Sequence, residues 1–367
     1  MSDTASSAAV GPPPGMRVRL SSNESPFGPS PRAVAAATEA AAQAHLYPDD
    51  QSVELREALA AAEGVGVDEV AVGTGSAGLL MDIIGHACRR EVADDPAVLS
   101  YERGFVVYRL AARNAGARYV EAPTEGPATR DRDGYGRDVE ALLARLDPTT
   151  RVVVVDNPGN PTGAHLDADA LRRLIEATPP DVTVVVDEAY HPFARGQQGY
   201  ATVAELGVSH PRLLTVRTFS KAHGLAGLRV GYVTGPADLV GAVDAWRVRF
   251  NLSSVAQAAA LASLDDAEHL AACVEGTLVG RARMAEGLRA LGVPFTDGLG
   301  NFLTLELGEP AGPVVEAFAA HGVGVRPLAP YGMDEQVRVS VGTPAEVSAF
   351  LDAAREVLPE VAAAGAR

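Results

Sequence analysis

Between residues 69 and 216 the chain repeats one unit: a short unbroken apolar run, a loop rich in glycine, proline or asparagine, then apolar residues at helical spacing. Segments 69–72, 97–99, 152–155, 182–186 and 213–216 read as strands, and 79–88, the stretch ending at Ala112, and 167–177 as helices. Runs without polar alternation belong to strands covered on both faces. The pattern therefore predicts an α/β large domain whose mostly parallel central sheet is flanked by helices, with ligands at the carboxyl ends of the strands. Upstream, 31–45 and 52–62 read as helices on either side of the turn Tyr47-Pro48-Asp49-Asp50. After Asn251 a long Ala/Leu-rich helical stretch is followed by strands near 301–307 and 337–341 and a closing helix from Ala345, which predicts a smaller α+β domain. The expected division is a disordered N-terminus (1–15), an N-terminal arm packing with the small domain (16–46), the large domain (47–250) and the small C-terminal domain (251–367).

Charge narrows the partners. A net charge of -16 over 367 residues argues against nucleic acid and anionic membrane surfaces, both of which require a basic face, and leaves small molecules or a second copy of the chain. The Ser/Ala/Pro-rich start, through Gly15, lacks the basic and apolar regions of a secretory signal, and no run approaches the roughly 18 apolar residues of a membrane span. Cys88 and Cys273 lie far apart in no metal-type spacing, so both read as reduced, structural thiols and the setting as cytoplasmic. The histidines, His191 and His223 among them, show no ligand spacing, and no metal is expected.

The 31 basic residues comprise 30 arginines and a single lysine, Lys221. A guanidinium stays protonated and forms no imine, whereas an amine with a lowered pKa is a nucleophile. Lys221 is thus either a leftover of composition or a position that needs an amine. It lies in Thr218-Phe219-Ser220-Lys221-Ala222-His223-Gly224, after a strand and eight positions before Arg229, so a cation can meet a phosphate while the amine reaches a carbonyl. Gly73-Thr74-Gly75-Ser76-Ala77-Gly78 also follows a strand. It matches a dinucleotide fingerprint, but the acidic residue wanted about 20 positions on is replaced by a charged loop; a phosphate site at a helix N-terminus or a plain glycine turn remain. Asp187 ends an apolar strand and is either a carboxylate at the ligand edge or a helix N-cap. Asn157-Pro158-Gly159-Asn160-Pro161-Thr162-Gly163 is a rigid loop; a turn explains the prolines better than it explains Asn160.

Taken in order, Ser21-Ser22-Asn23-Glu24-Ser25-Pro26-Phe27-Gly28, Tyr47-Pro48-Asp49, the Asn-Pro-Thr-Gly loop, Asp187-Glu188-Ala189-Tyr190 and the lysine segment resemble the histidinol-phosphate aminotransferase family, from about Arg19 to the end. Residues 217–232 and Asn251-Leu252-Ser253-Ser254 look closest to the branch that includes aromatic amino-acid aminotransferases. The resemblance implies a fold type I transferase dependent on pyridoxal 5'-phosphate. It implies that Lys221 binds the cofactor as an imine and then shuttles the substrate proton, Asp187 pairs with the pyridinium N–H, and Asn160 and Tyr190 hydrogen-bond the phenolic oxygen. Ser76, the Ala77 N–H, Ser220 and Arg229 would hold the phosphate, with Tyr47 reaching it from the other subunit of a homodimer. Phe105 would stack on the ring, although the prolines usual before it are missing from Tyr101-Glu102-Arg103-Gly104-Phe105.

Arg338 matches the family's carboxylate-binding arginine and Arg326 a second one that helps with the donor's phosphate; surface ion pairs are the other account of both. Asn23 and Phe27 would line the pocket, with Phe250 and Tyr331 adding aromatic walls. The implied reaction is ping-pong transfer of an amino group from histidinol phosphate to 2-oxoglutarate. An aromatic amino acid such as phenylalanine is the alternative donor, and a lyase or decarboxylase the alternative chemistry. A cofactor-sensing regulator would need a DNA-binding module, which the acidic chain does not offer.

Overall fold

The computed structural model describes residues 17–89, 95–127 and 134–358; the expected disordered segment 1–15 lies outside them. The strands, in chain order, are β1 (Val18–Arg19), β2 (Val70–Thr74), β3 (Ala97–Tyr101), β4 (Arg118–Ala122), β5 (Thr150–Asp156), β6 (Thr183–Asp187), β7 (Leu213–Thr218) and β8 (Val230–Thr234). They continue as β9 (Phe295–Thr296), β10 (Phe302–Glu306), β11 (Val323–Gly324), β12 (Arg326–Leu328) and β13 (Met333–Ser340).

Seven strands form the central sheet in the order β2-β8-β7-β6-β5-β3-β4. All neighbours are parallel except β8, which runs antiparallel between β2 and β7. The apolar runs are continuous because both faces are covered. Val152 and Val154 pack with Leu80, Ile84 and Tyr108 on one side, while Val153 and Val155 pack with Leu171, Leu174 and Ile175 on the other. Each fully buried valine contributes about 1.5–3 kcal/mol relative to exposure. The sequence pattern missed two strands of this sheet. Lone charges interrupt β4, and β8 carries Gly231 and was absorbed into the lysine segment.

The second unit is an antiparallel sheet, β12-β13-β10-β9, over a core that includes Phe318 and Phe350. The N-terminal arm joins it through β1, which pairs in parallel with β11, and through Leu20 in its core. The rest of the arm behaves differently from the sequence expectation. Helix Pro31–Ala41 places Ala33 against Ala256, Ala259 and Ala260 of helix Ser254–Leu264, and that cluster includes Val70, Val72 and Phe219 of the large unit. Both helices therefore belong with the large unit, and the change of pattern expected at residue 251 falls one helix too early. The physical reason is side-chain size: alanine faces let two helices approach closely, and composition does not say which partner they approach.

The two units meet at Gly163 and Gly298. The Leu299 N–H donates to the Gly163 carbonyl at 3.0 Å, and a Cβ on Gly163 would lie 2.8 Å from the Gly298 Cα. Gly163 also holds φ +76°, which an L side chain tolerates poorly. Gly163→Ala is expected to cost about 2 kcal/mol or more in urea unfolding, with larger losses for bulkier side chains.

Candidate active site

Parallel strands deliver the residues that follow them to one edge of the sheet. β5, β6 and β7 are adjacent, so the Asn160 loop, Asp187 and Lys221 come together there, and the segment after β3 brings Phe105 to the same edge. The antiparallel β8 starts where the others end, which places Arg229 opposite β7 and the end of β2.

Arg229 sits against the start of helix Gly75–Ala87, the glycine-rich segment expected to be a loop. Thr74 precedes this helix without capping it, so N–H groups at its positive end are open to an anion. A Cβ on Gly75 would collide with the Arg229 guanidinium, and one on Gly231 would meet the Ser76 nitrogen at 2.6 Å. Arg229 donates to the Ser220 hydroxyl at 3.2 Å, and Thr218 donates to the same oxygen at 3.0 Å. Ser220 and Arg229 are thus brought against the start of the helix that carries Ser76 and Ala77, at a place closed against side chains by glycine.

Lys221 Nζ donates to the Ser22 carbonyl at 3.4 Å and lies 5.6 Å from the centre of the Tyr190 ring. Desolvation and then the Arg338 and Arg229 charges lower its pKa to about 7, against the opposing pull of Glu24 and Asp187. Asp187, 2% exposed, accepts from the Tyr108 hydroxyl at 3.1 Å and from the Ala189 N–H at 3.1 Å. Burial and the Asp156 carboxylate raise it to about 7. Asp187 ends β6 and its bond to Ala189 makes a local turn, but the helix that follows, His191–Ala194, has Tyr190 at its N-cap position, so Asp187 is not the N-cap. Phe105 is half-buried, edge-to-face with Tyr108 at 5.8 Å.

Arg338, on β13, is 6% exposed. It donates to the Asn160 side-chain carbonyl and, at 3.0 Å, to the Ser21 carbonyl, while its Nε is buried without a partner. Arg326 reaches the same Ser21 carbonyl at 3.0 Å and the Ser22 hydroxyl at 3.2 Å. Among the described residues neither arginine forms an ion pair, and neither is exposed. Asn23, 1% exposed with φ +53°, donates to the Tyr190 hydroxyl at 3.0 Å and accepts from the Ser340 hydroxyl at 2.9 Å. Burial pushes the Tyr190 phenol up. Phe27 instead turns its half-buried ring onto Gly276 of the long helix Ala267–Ala290. Tyr47 stands apart, 84% exposed, its ring 4.8 Å from that of Phe250.

Tyr108, Arg137, Asp156 and Ser340 surround these groups, and sequence reasoning passed over all four. Asp156 ends a strand next to Asp187, a signal that was available; the other three are recognisable only by what they touch. Among the described residues no group of three or more His, Cys, Asp or Glu could hold a metal ion.

A mostly parallel seven-stranded sheet carrying lysine, aspartate and asparagine along one edge, with a smaller antiparallel sheet beside it, is the architecture of fold type I aminotransferases. The crystal structure of the histidinol-phosphate aminotransferase from Sinorhizobium meliloti in complex with pyridoxal-5'-phosphate matches with a TM-score of 0.82 at 28% identity, covering 95% of this chain and 91% of that one. The family "Aminotransferase class I and II" matches residues 16–353, and the chain belongs to it. The "Histidinol-phosphate aminotransferase 2" of Pseudomonas aeruginosa is 41% identical over 352 residues, 95% of this chain and 91% of the relative. The "Aromatic amino acid aminotransferase" of Nocardia farcinica is 41% identical over 335 residues, 91% of this chain and 90% of the relative.

Two opposed titrations at the site contribute to the pH dependence of the apoprotein's stability. Lys221 loses its proton near pH 7 when folded and near 10.5 when unfolded, so the unfolded chain binds more protons between these values and stability climbs with pH. Asp187 titrates near 7 folded and near 3.8 unfolded, so across that interval the folded chain binds more protons and stability falls as pH rises. Unfolding free energies of the apoprotein are expected to dip near pH 7. Lys221→Met should flatten the alkaline limb and Asp187→Asn the acid limb in denaturant titrations across pH 4–10.

Proposed function

We propose that this aminotransferase uses pyridoxal 5'-phosphate to move an amino group from histidinol phosphate to 2-oxoglutarate. The observation that carries the substrate reading is the pairing of two arginines, Arg338 and Arg326, on the same Ser21 carbonyl beside Lys221. 2-Oxoglutarate carries two carboxylates and histidinol phosphate one dianionic phosphate, so two guanidinium groups match both partners of the exchange. An aromatic amino acid offers one carboxylate and leaves Arg326 without a counter-charge. The similarity to the Nocardia enzyme and the placing of Tyr331, whose phenol feels both arginines, make that donor the second reading.

The residues suit the cofactor. The Gly75–Arg229–Ser220 cradle admits a phosphate that a Cβ would exclude, and Asp187 is a buried carboxylate able to face a ring N–H. When bound, pyridoxal 5'-phosphate supplies an electron sink for the bond that breaks at the donor Cα. Lys221, with its lowered pKa, would take that proton and hold it for return. Asp187 would hold the ring nitrogen, Asn160 and Tyr190 the phenolic oxygen, and Ser76, Ala77, Ser220 and Arg229 the phosphate, with Phe105 covering the ring. Arg338 anchors a carboxylate, which works against decarboxylation, and Asn23 fixes the arm that closes over the donor.

We also propose a homodimer. Leu46, Tyr47, Trp246, Val248 and Phe250 are 43–84% exposed, and Asp50 binds this patch together through Arg247 at 3.2 Å and Arg249 at 3.0 Å. A second copy laid on it would carry Tyr47 and Phe250 to the neighbouring site. The buried free thiols Cys88 and Cys273 suit a reducing, cytoplasmic setting, and no described helix is long and apolar enough to cross a membrane.

Purified enzyme given histidinol phosphate and 2-oxoglutarate should release glutamate in equal amount, with phenylalanine slower. Carbon dioxide or ammonia without glutamate would overturn the transfer, and a faster phenylalanine reaction would reassign the donor. Lys221→Arg keeps the charge and should lower turnover at least about a thousand-fold, with loss of the bound cofactor's visible absorbance. Val248→Asp should halve the mass measured by light scattering and weaken cofactor retention.

A further inference from the structure

Behind Asn160 lies a buried ion pair that the reaction does not use directly. Arg137 Nη2 is 2.6 Å from Asp156 Oδ1, with the two side chains 1% and 4% exposed, and its Nη1 also donates to the Asp156 carbonyl. Asp156 Oδ2 accepts the Asn160 main-chain N–H at 2.8 Å. The Arg137 guanidinium lies 5.2 Å from the centre of the Tyr101 ring and fills the space beside Gly159, where a Cβ would collide with it. Asp156 is also the register partner of Asp187 across β5 and β6. Two carboxylates thus end adjacent buried strands, and Arg137 is the cation bonded to one of them.

We propose that Arg137 and Asp156 are a positioning pair for Asn160: Arg137 neutralises and aims the Asp156 carboxylate, whose free oxygen fixes the Asn160 backbone. Arg338 claims the Asn160 side-chain carbonyl, so the amide nitrogen is left to donate. With the backbone pinned at one end and the side chain at the other, that nitrogen has one direction to face. The inference rests on the reading of Asn160 as a ligand of the cofactor's phenolic oxygen. It adds that the aim of Asn160 is set by charge compensation two bonds of the network away. Removing either member alone leaves an unpaired buried charge, whereas removing both leaves a neutral amide at 156 that still accepts the Asn160 N–H.

The test uses holoenzyme and follows the pH midpoint of the bound cofactor's visible absorbance, together with kcat/KM. Asn160→Ala should move the midpoint upward by about one unit. Arg137→Met and Asp156→Asn should each move it the same way and lower kcat/KM about tenfold, while the double variant returns at least half-way. Gly159→Ala, which changes no charge but displaces Arg137, should reproduce the single-variant shift. In the Asn160→Ala background none of these should move the midpoint further. Where Arg137→Met does not fold, Arg137→Lys, which keeps the charge and loses the fork, should give a smaller shift in the same direction. Full shifts that persist without Asn160, or a double variant worse than both singles, would overturn the positioning role. An unchanged midpoint in Asn160→Ala alone would instead sink the cofactor reading of Asn160, and this inference with it.

Discussion

An amine held half-deprotonated at neutral pH needs desolvation and neighbouring positive charge at once, and the surroundings of Lys221 supply both. Burial sets the direction, and the Arg338 and Arg229 charges add to it. Those cations are themselves anchored. Arg338 spends two of its nitrogens on Asn160 and the Ser21 carbonyl, and Arg229 bonds the Ser220 hydroxyl.

The sheet makes that arrangement affordable in chain length. Parallel β5, β6 and β7 present their ends side by side, so an asparagine loop, an aspartate and a lysine more than sixty residues apart meet without long connections. The one antiparallel strand, β8, brings Arg229 back to the same edge and against the start of the first covering helix. From the other side the arm crosses over, fixed to the small unit by β1 and to the site by Asn23 between Tyr190 and Ser340. Arg326 on β12, Arg338 on β13 and the amine after β7 are thus bridged by a short stretch of main chain, Ser21 and Ser22.

Much of this was legible in the residues. The valine runs gave away strands covered on both faces, since a strand with a wet face would alternate. A lone lysine among arginines singled out one position, and the resemblance of its surroundings assigned it the amine's role. What escaped followed from weaker local signals: β4 mixes charge into its run, β8 has a glycine at its second position, and Gly75–Ala87 begins in residues that look like loop. Tyr108 is a helical residue like any other until its hydroxyl is seen at 3.1 Å from Asp187.

Periodicity, turn chemistry and residue type are local properties, and they sufficed to determine the layered architecture and to bring the candidate segments to the carboxyl ends of the strands, while the roles of the individual side chains rested on the family resemblance. Tertiary structure alone decided who neighbours whom. It placed helices Pro31–Ala41 and Ser254–Leu264 on the large unit, turned Phe27 toward Gly276, joined Arg137 to Asp156, and drove Lys221 and Asp187 to similar pKa values from opposite directions. Burial and charge at a point in space are sums over residues distant in sequence, and a linear pattern carries no record of those distances.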